Sequence, residues 1–264
     1  NRLRLSVLMG QSPGLLQFFT PGGTITDADL LTDAQGTRLA LGVAGTNGTF
    51  TAGIWNPADG RLLTPLMSHE GRVNSVRFDR TGDRLVTASE DKSVRVWDAR
   101  KGALLVGPLK HGEAVWQAVF SPDGKWIASS DNHKPGSWGS MSGQEATVYR
   151  RRTGTTALWD AATGKPRWQH PVQGRNAQQL VFSPDGTQLA EGYHTFVSAV
   201  TSITDGEIVR HFPDIWWIND IVYSAPANRA VACGLWTQQS KPGARLFEAA
   251  TLAPVGELLP HDGE

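Results

Sequence analysis

Apolar and polar residues alternate along most of this chain with a period of two, as in Ser93-Val94-Arg95-Val96-Trp97. Successive side chains of a β-strand point to opposite faces, so such a run predicts a strand with one buried face. The runs are short, and Gly or Pro-Asp-Gly clusters interrupt them every ten residues or so, the composition of tight turns. Short antiparallel strands joined by turns are therefore expected, with almost no helix.

The alternation itself repeats. Val73-Asn74-Ser75-Val76-Arg77-Phe78 leads into Asp79-Arg80-Thr81-Gly82, and Val115-Trp116-Gln117-Ala118-Val119-Phe120 leads into Ser121-Pro122-Asp123-Gly124, 42 positions later. Ala177 to Phe182 before Ser183-Pro184-Asp185-Gly186 is a third copy, and Ile218 to Tyr223 before Ser224-Ala225-Pro226-Ala227 is a fourth. A degenerate copy runs from Ile25 to Leu30. The second half of each unit carries its own mark: Ile54-Trp55-Asn56, Val96-Trp97-Asp98, Leu158-Trp159-Asp160, a worn Val200-Thr201-Ser202, and Leu246-Phe247-Glu248. After two of these, Gly102 and Gly164 stand where a tight turn needs positive φ. A fixed period of this length predicts one supersecondary unit per repeat, here a four-stranded meander.

A strand ending in Trp-Asp, a Ser-Pro-Asp-Gly turn and an opening His-X-Gly about 40 residues apart resemble the WD-repeat family, whose repeats fold as β-propeller blades. The resemblance runs through nearly the whole chain. It implies an all-β fold with blades at about 25–66, 73–107, 115–169, 177–211 and 218–259. It also implies a structural tetrad at His69, Thr87 or Ser89, Asp91 and Trp97, hydrogen-bonded inside the blade. Ser/Thr, His and Asp in one unit imitate a hydrolytic triad, but the resemblance makes them architecture. His111 is spaced like His69, whereas His170 and His211 lie three residues too far upstream of Phe182 and Tyr223. Thr195 and Thr201 replace the aspartate and tryptophan of the fourth repeat, which is expected to depend more on apolar packing. The unevenness of the repeats resembles bacterial WD-repeat proteins of signalling systems. A six-bladed periplasmic propeller family shares the Ser-Pro-Asp-Gly turn, but Trp-Asp endings and His-X-Gly openings favour the WD-repeat reading.

Arg2 to Val7 and Leu15 to Phe19 read as the outer strands of a preceding blade, within residues 1–20, and His261-Asp262-Gly263 reads as another opening motif. The expectation is a fragment of a seven-bladed or larger propeller.

In the resembled family, loops joining one blade to the next and the second strand to the third form a top face that binds partners. The spacing of 62 between Trp97 and Trp159 places an insert of roughly 20 residues there, 132–153. It carries Trp138 and the basic run Arg150-Arg151-Arg152 beside Tyr149. Trp and Arg are enriched at binding hot spots, and arginines pair with carboxylates or phosphates. Alignment on Asn74 places Trp116, Gln178 and Asn219 around the same mouth, with Arg72, Arg175, Tyr193, His194 and Trp236 nearby. Trp216 and Trp217 belong to the loop leading into the fifth repeat.

Composition then narrows the chemistry. Lys plus Arg and Asp plus Glu are equal at 25 each among 264 residues, so no general attraction to nucleic acid or an anionic membrane follows. Cys233 is the only cysteine, which excludes an intrachain disulfide and a multi-cysteine zinc site. No zincin motif, P-loop or dinucleotide fingerprint occurs. The expected function is a non-catalytic scaffold for a protein or peptide partner, without cofactor, metal or membrane, and with a cytoplasmic location favoured. The alternatives are a propeller enzyme or sensor with a small-molecule site at the channel mouth, and nucleic-acid binding through the 132–153 insert.

Overall fold

The computed structural model describes residues 21–131, 153–173, 177–193, 198–213, 215–224, 228–236 and 242–260. They form five four-stranded antiparallel sheets, each a meander whose strands are neighbours in chain order. Sheet 1 holds β1 (Gly23–Asp33), β2 (Gly36–Gly45), β3 (Phe50–Trp55) and β4 (Met67–His69). Sheet 2 holds β5 (Val73–Phe78), β6 (Arg84–Ser89), β7 (Ser93–Asp98) and β8 (Leu104–Lys110). Sheet 3 holds β9 (Val115–Phe120), β10 (Trp126–Asp131), β11 (Thr153–Asp160) and β12 (Pro166–Gln173). Sheet 4 holds β13 (Ala177–Phe182), β14 (Gln188–Tyr193), β15 (Ala199–Ser202) and β16 (Ile208–His211). Sheet 5 holds β17 (Ile215–Ser224), β18 (Arg229–Trp236), β19 (Pro242–Glu248) and β20 (Pro254–Pro260). There is no helix among the described residues. The sheets are blades of the β-propeller type, as the repeat implied. Residues 1–20 lie outside the described residues.

The chain divides into two compact units, Asn1–Lys110 with sheets 1 and 2, and His111–Glu264 with sheets 3 to 5. In the first, Ala40, Ile54 and Met67 of sheet 1 pack against Val73, Val76, Phe78 and Leu85 of sheet 2. In the second, Ala128 and Leu158 of sheet 3 meet Ala177, Leu180 and Phe182 of sheet 4. Ala190, Val200 and Phe212 of sheet 4 in turn meet Ile218, Ile221 and Phe247 of sheet 5. Alternation explains this packing: within one strand, odd and even positions serve the neighbours on opposite faces.

The turns follow from side-chain chemistry. Asp98 Oδ1 accepts from the backbone N–H of Arg100 at 2.8 Å and of Lys101 at 2.9 Å, and Gly102 closes the turn with φ of 67°. Asp160 repeats the arrangement toward Ala162 and Thr163, with Gly164 at φ 71°. A left-handed residue is needed there, and glycine takes that conformation without a Cβ penalty. In Ser121-Pro122-Asp123-Gly124, Ser121 Oγ donates to Asp123 Oδ1 at 2.6 Å and accepts from the Trp126 N–H at 2.9 Å.

Candidate functional site

The polar residues that imitate a catalytic triad are internal struts. At the end of β4 the His69 Nδ1 stands 2.8 Å from Asp91 Oδ2, and its Nε2 stands 2.7 Å from Thr87 Oγ1 of sheet 2. Trp97 Nε1–H donates to the same Thr87 oxygen at 2.9 Å. An indole N–H can only donate and a carboxylate can only accept. With a neutral imidazole, donation therefore runs from Trp97 to Thr87, from Thr87 to His69, and from His69 to Asp91. Thr87 has no exposed surface, so its hydroxyl meets no substrate. Of the two candidate hydroxyls Thr87 is the strut. Ser89 Oγ instead donates to the Gly71 carbonyl at 2.9 Å and accepts from the Asp91 N–H at 3.0 Å, fixing the turn that presents the aspartate.

Burial works to raise the Asp91 pKa, but hydrogen bonds from His69, Ser93 and the Glu70 N–H outweigh it. Its carboxyl is held well below the ordinary range.

Sheet 3 builds the same chain from His111. Nε2 is 2.8 Å from Ser129 Oγ, Nδ1 is 3.2 Å from Asp131 Oδ2, and Trp159 Nε1–H donates to Ser129 at 2.8 Å. Here the aspartate ends β10, where it also accepts from the Thr155 N–H at 2.5 Å.

Sheet 4 departs from expectation. Glu191 occupies the β14 place of Thr87, and Thr201 the β15 place of Trp97. The sheet does not rely on apolar packing alone. Glu191 is fully buried, and its Oε2 accepts from Thr156 and from Tyr193 at 2.8 Å each. Thr201 donates to Oε1, and His170 Nε2 lies 3.7 Å from the same oxygen. Burial alone would raise the Glu191 pKa, yet His170, Thr201 and Thr156 together hold it below its ordinary value. His170 thus finds a partner although its spacing is wrong for the usual chain, because a glutamate reaches further than a threonine. Thr195 lies outside the described residues, and His211 is exposed on β16.

Two further struts join successive inner strands, which share no backbone ladder. Asp27 Oδ2 accepts from the Val76 N–H at 3.0 Å, and Gln117 Oε1 accepts from the Leu180 N–H at 2.7 Å. Asp27 stands three residues before Leu30, and Gln117 three before Phe120. That polar position within an apolar strand was a usable signal, and the sequence reading did not use it.

The expected binding residues fall into three groups. Arg72 is exposed and Asn74 partly exposed in the first unit, at the end of sheet 2 that carries Asp91, next in the chain after His69 of β4. Trp116, in the second unit, is 40% exposed at the edge of sheet 3 that holds His111 and Asp131. Tyr193 is a correction: it is 1% exposed and packs in the core shared by sheets 3 and 4, because it lies on the same face of β14 as Leu189 and Glu191. Trp138, Arg150, Arg151, Arg152, Arg175 and His194 lie outside the described residues, as do the side chains of Gln178, Trp216, Trp217, Asn219 and Trp236. Among the described residues no group of three or more His, Cys, Asp or Glu side chains is placed to hold a metal ion.

Comparison with known proteins agrees with this geometry. The family model "WD domain, G-beta repeat" matches residues 60–98 and 105–134. A Schizosaccharomyces pombe protein named periodic tryptophan protein 2 homolog is 30% identical over 175 residues, 64% of this chain and 20% of that protein. Its Mus musculus namesake is 31% identical over 178 residues, 64% of this chain and 18% of that protein. The eukaryotic translation initiation factor 3 subunit I of Aspergillus fumigatus is 28% identical over 128 residues, 47% of this chain and 30% of that protein. The chain therefore spans about a fifth of the length of the first of these relatives. The crystal structure of the computationally designed Ika8 protein superposes with a TM-score of 0.65 at 19% identity, over 91% of this chain and 62% of that one. This last likeness concerns the fold alone. These relatives are eukaryotic, so the resemblance to bacterial signalling proteins finds no support. The first matched segment contains the whole His69, Thr87, Asp91 and Trp97 chain, and the second contains His111, Ser129 and Asp131, so WD40 repeats are present in this chain.

Proposed function

We propose that the chain is a non-catalytic scaffold that binds a protein or peptide partner at the sheet edges bearing the tetrad histidines. The observation that carries this reading is the contrast at those edges. The Ser/Thr, His and Asp groups capable of acyl chemistry are buried and bonded to one another, whereas Trp116 stands 40% exposed on the sheet-3 edge that carries Asp131. A large, stiff aromatic gains much from being covered and loses little conformational freedom. The scaffold itself is rigid, because every sheet edge of this kind is pinned by buried hydrogen bonds, so little ordering cost falls on binding. One relative is by name a subunit of an initiation factor, which is compatible with work inside an assembly.

The test is affinity capture from the source lysate, with the wild type beside a variant carrying Trp116→Ala, Trp216→Ala, Trp217→Ala and Arg150 to Arg152 changed to alanine. Circular dichroism checks that the variant is folded. Loss of one specific partner is the expected result. Retention of the same partners by the folded variant refutes the reading.

A further inference from the structure

The turn between β2 and β3 holds the groups for a covalent change that needs no second macromolecule. The Gly45 N–H donates to the Thr49 carbonyl at 2.7 Å and the Gly48 N–H donates to the Gly45 carbonyl at 3.1 Å, so the turn is tightly closed. Thr46, Asn47, Gly48 and Thr49 are all exposed. The Asn47 carbonyl is nevertheless tied down: Oδ1 accepts from the Thr49 hydroxyl at 2.7 Å and from the Thr49 N–H at 3.3 Å. A Cβ on Gly45 would strike the Thr49 hydroxyl and stand 2.9 Å from that same Oδ1, so both side chains fold back over the turn.

A backbone N–H can only donate, which fixes the facing atom of Asn47 as its oxygen and leaves Nδ2 as a leaving group. The next residue is Gly48, with φ of 78° and nothing within 4 Å of where a Cβ would stand. Its nitrogen carries no neighbouring side chain to hinder attack on Asn47 Cγ. Negative charge developing on Oδ1 during such an attack meets two donors already aimed at it. Hydrogen bonds to an anionic oxygen are stronger than those to a neutral one, so these donors favour the attack over the resting amide.

We propose that Asn47 is a site of spontaneous deamidation, in which Gly48 N attacks Asn47 Cγ and the Thr49 hydroxyl stabilises the oxyanion. The Gly48 N–H gives its proton to water or hydroxide, the N–Cγ bond forms, and the Cγ–Nδ2 bond breaks as ammonia leaves. Water then opens the five-membered imide, at Cγ to give isoaspartate's alternative, aspartate, when the N–Cγ bond breaks, or at the main-chain carbonyl carbon to give isoaspartate. A water is consumed in forming the acid, ammonia is released, and a negative charge is gained. In isoaspartate the main chain runs through Cγ and is longer by a methylene. The change falls three residues before Phe50, which pairs with His69 across β3 and β4, so the isoaspartate form is expected to loosen β4. The site rests on this turn alone and does not depend on the partner-binding reading.

The test ages the purified full-length polypeptide near neutral pH and in mild alkali, and follows each asparagine by peptide mass spectrometry. Two other asparagines are internal controls. Asn56 Oδ1 also accepts a backbone N–H two residues on, from Ala58 at 2.9 Å, but Pro57 follows it and has no N–H to give up. Asn228 is exposed and is followed by Arg229. Asn47 is expected to convert at least about tenfold faster than Asn228, with no detectable conversion of Asn56 and a rate that rises with pH. Thr49→Val is expected to slow the conversion about threefold or more, while Thr49→Ser stays near the wild-type rate. Hydrogen exchange of the isoaspartate fraction, isolated by ion exchange, is expected to be faster in β4 than in the unaged protein. An Asn47 that converts no faster than Asn228 overturns the proposal. Equal rates in the valine and serine variants overturn the role assigned to Thr49.

Discussion

Replacing Thr87 by valine keeps the shape of the side chain and removes one oxygen. That oxygen is the meeting point of the sheet-2 chain: it lies 2.7 Å from His69 Nε2 and receives the Trp97 N–H at 2.9 Å. Thr87 has no exposed surface, and His69 and Trp97 are 7% and 6% exposed. Neither partner can turn to water when the hydroxyl is gone. Each buried polar group left without a partner costs about 1 to 3 kcal/mol, so Thr87→Val is expected to destabilise the first unit by about 2 to 5 kcal/mol. Thr87→Ser keeps the hydroxyl and loses one methyl, worth about 1 kcal/mol. Sheet 3 already uses serine at this place, as Ser129. The assay is urea unfolding read by hydrogen exchange of peptides from β5 to β7, which reports on this unit alone. If the valine and serine variants lose the same stability, or if valine costs under about 0.5 kcal/mol, the hydroxyl is not the strut described here.

Further substitutions probe the other chains. Glu191→Leu strands the hydroxyls of Thr156, Thr201 and Tyr193; it is expected to cost about 3 kcal/mol or more in thermal or urea unfolding, and a neutral effect would contradict the network. Trp159→Phe removes one donor and leaves Ser129 bonded to His111, so a loss of only about 1 kcal/mol is expected by the same measurement, against the larger loss at Thr87. Asp91 has a folded pKa below its usual value of 3.8, so its stabilising contribution is complete above that value and disappears as pH falls through the lowered one. Asp91→Asn is therefore expected to lower stability at neutral pH and to flatten the acid limb of the stability curve; an unchanged acid limb would show that Asp91 carries no such linkage.

Much of this architecture was legible because it rests on local periodicity. Val94, Val96 and Trp97 announce a strand, Asp98 and Gly102 announce its turn, and the interval from Phe78 to Phe120 announces the repeat. Periodicity also has blind spots. Thr87 and Ser89 share one face of β6, so alternation could not choose between them; the cross-strand register did, by setting Leu85 opposite Trp97 and bringing the indole N–H to Thr87. Glu191 was missed because the tetrad was sought by residue type. A charged residue flanked by Ala190 and Gly192 in an apolar strand signals a buried partner, and that partner, His170, was set aside because it lies three residues further upstream than His69 and His111 do in their repeats. Tyr193 was placed at the mouth by alignment, but strand parity turns its ring into the core with Leu189.

The central claim is that the tetrad-bearing edge meets a partner while the tetrad itself only holds the sheet together. The most direct measurement places a photo-crosslinking amino acid at Trp116 and, separately, at Lys165 in the turn at the opposite edge of sheet 3. The two samples are irradiated in source lysate. A partner trapped from position 116 and absent from position 165 is the predicted result. A partner trapped only from position 165 would contradict the account, since recognition would then sit on the edge formed by the Asp160 turn.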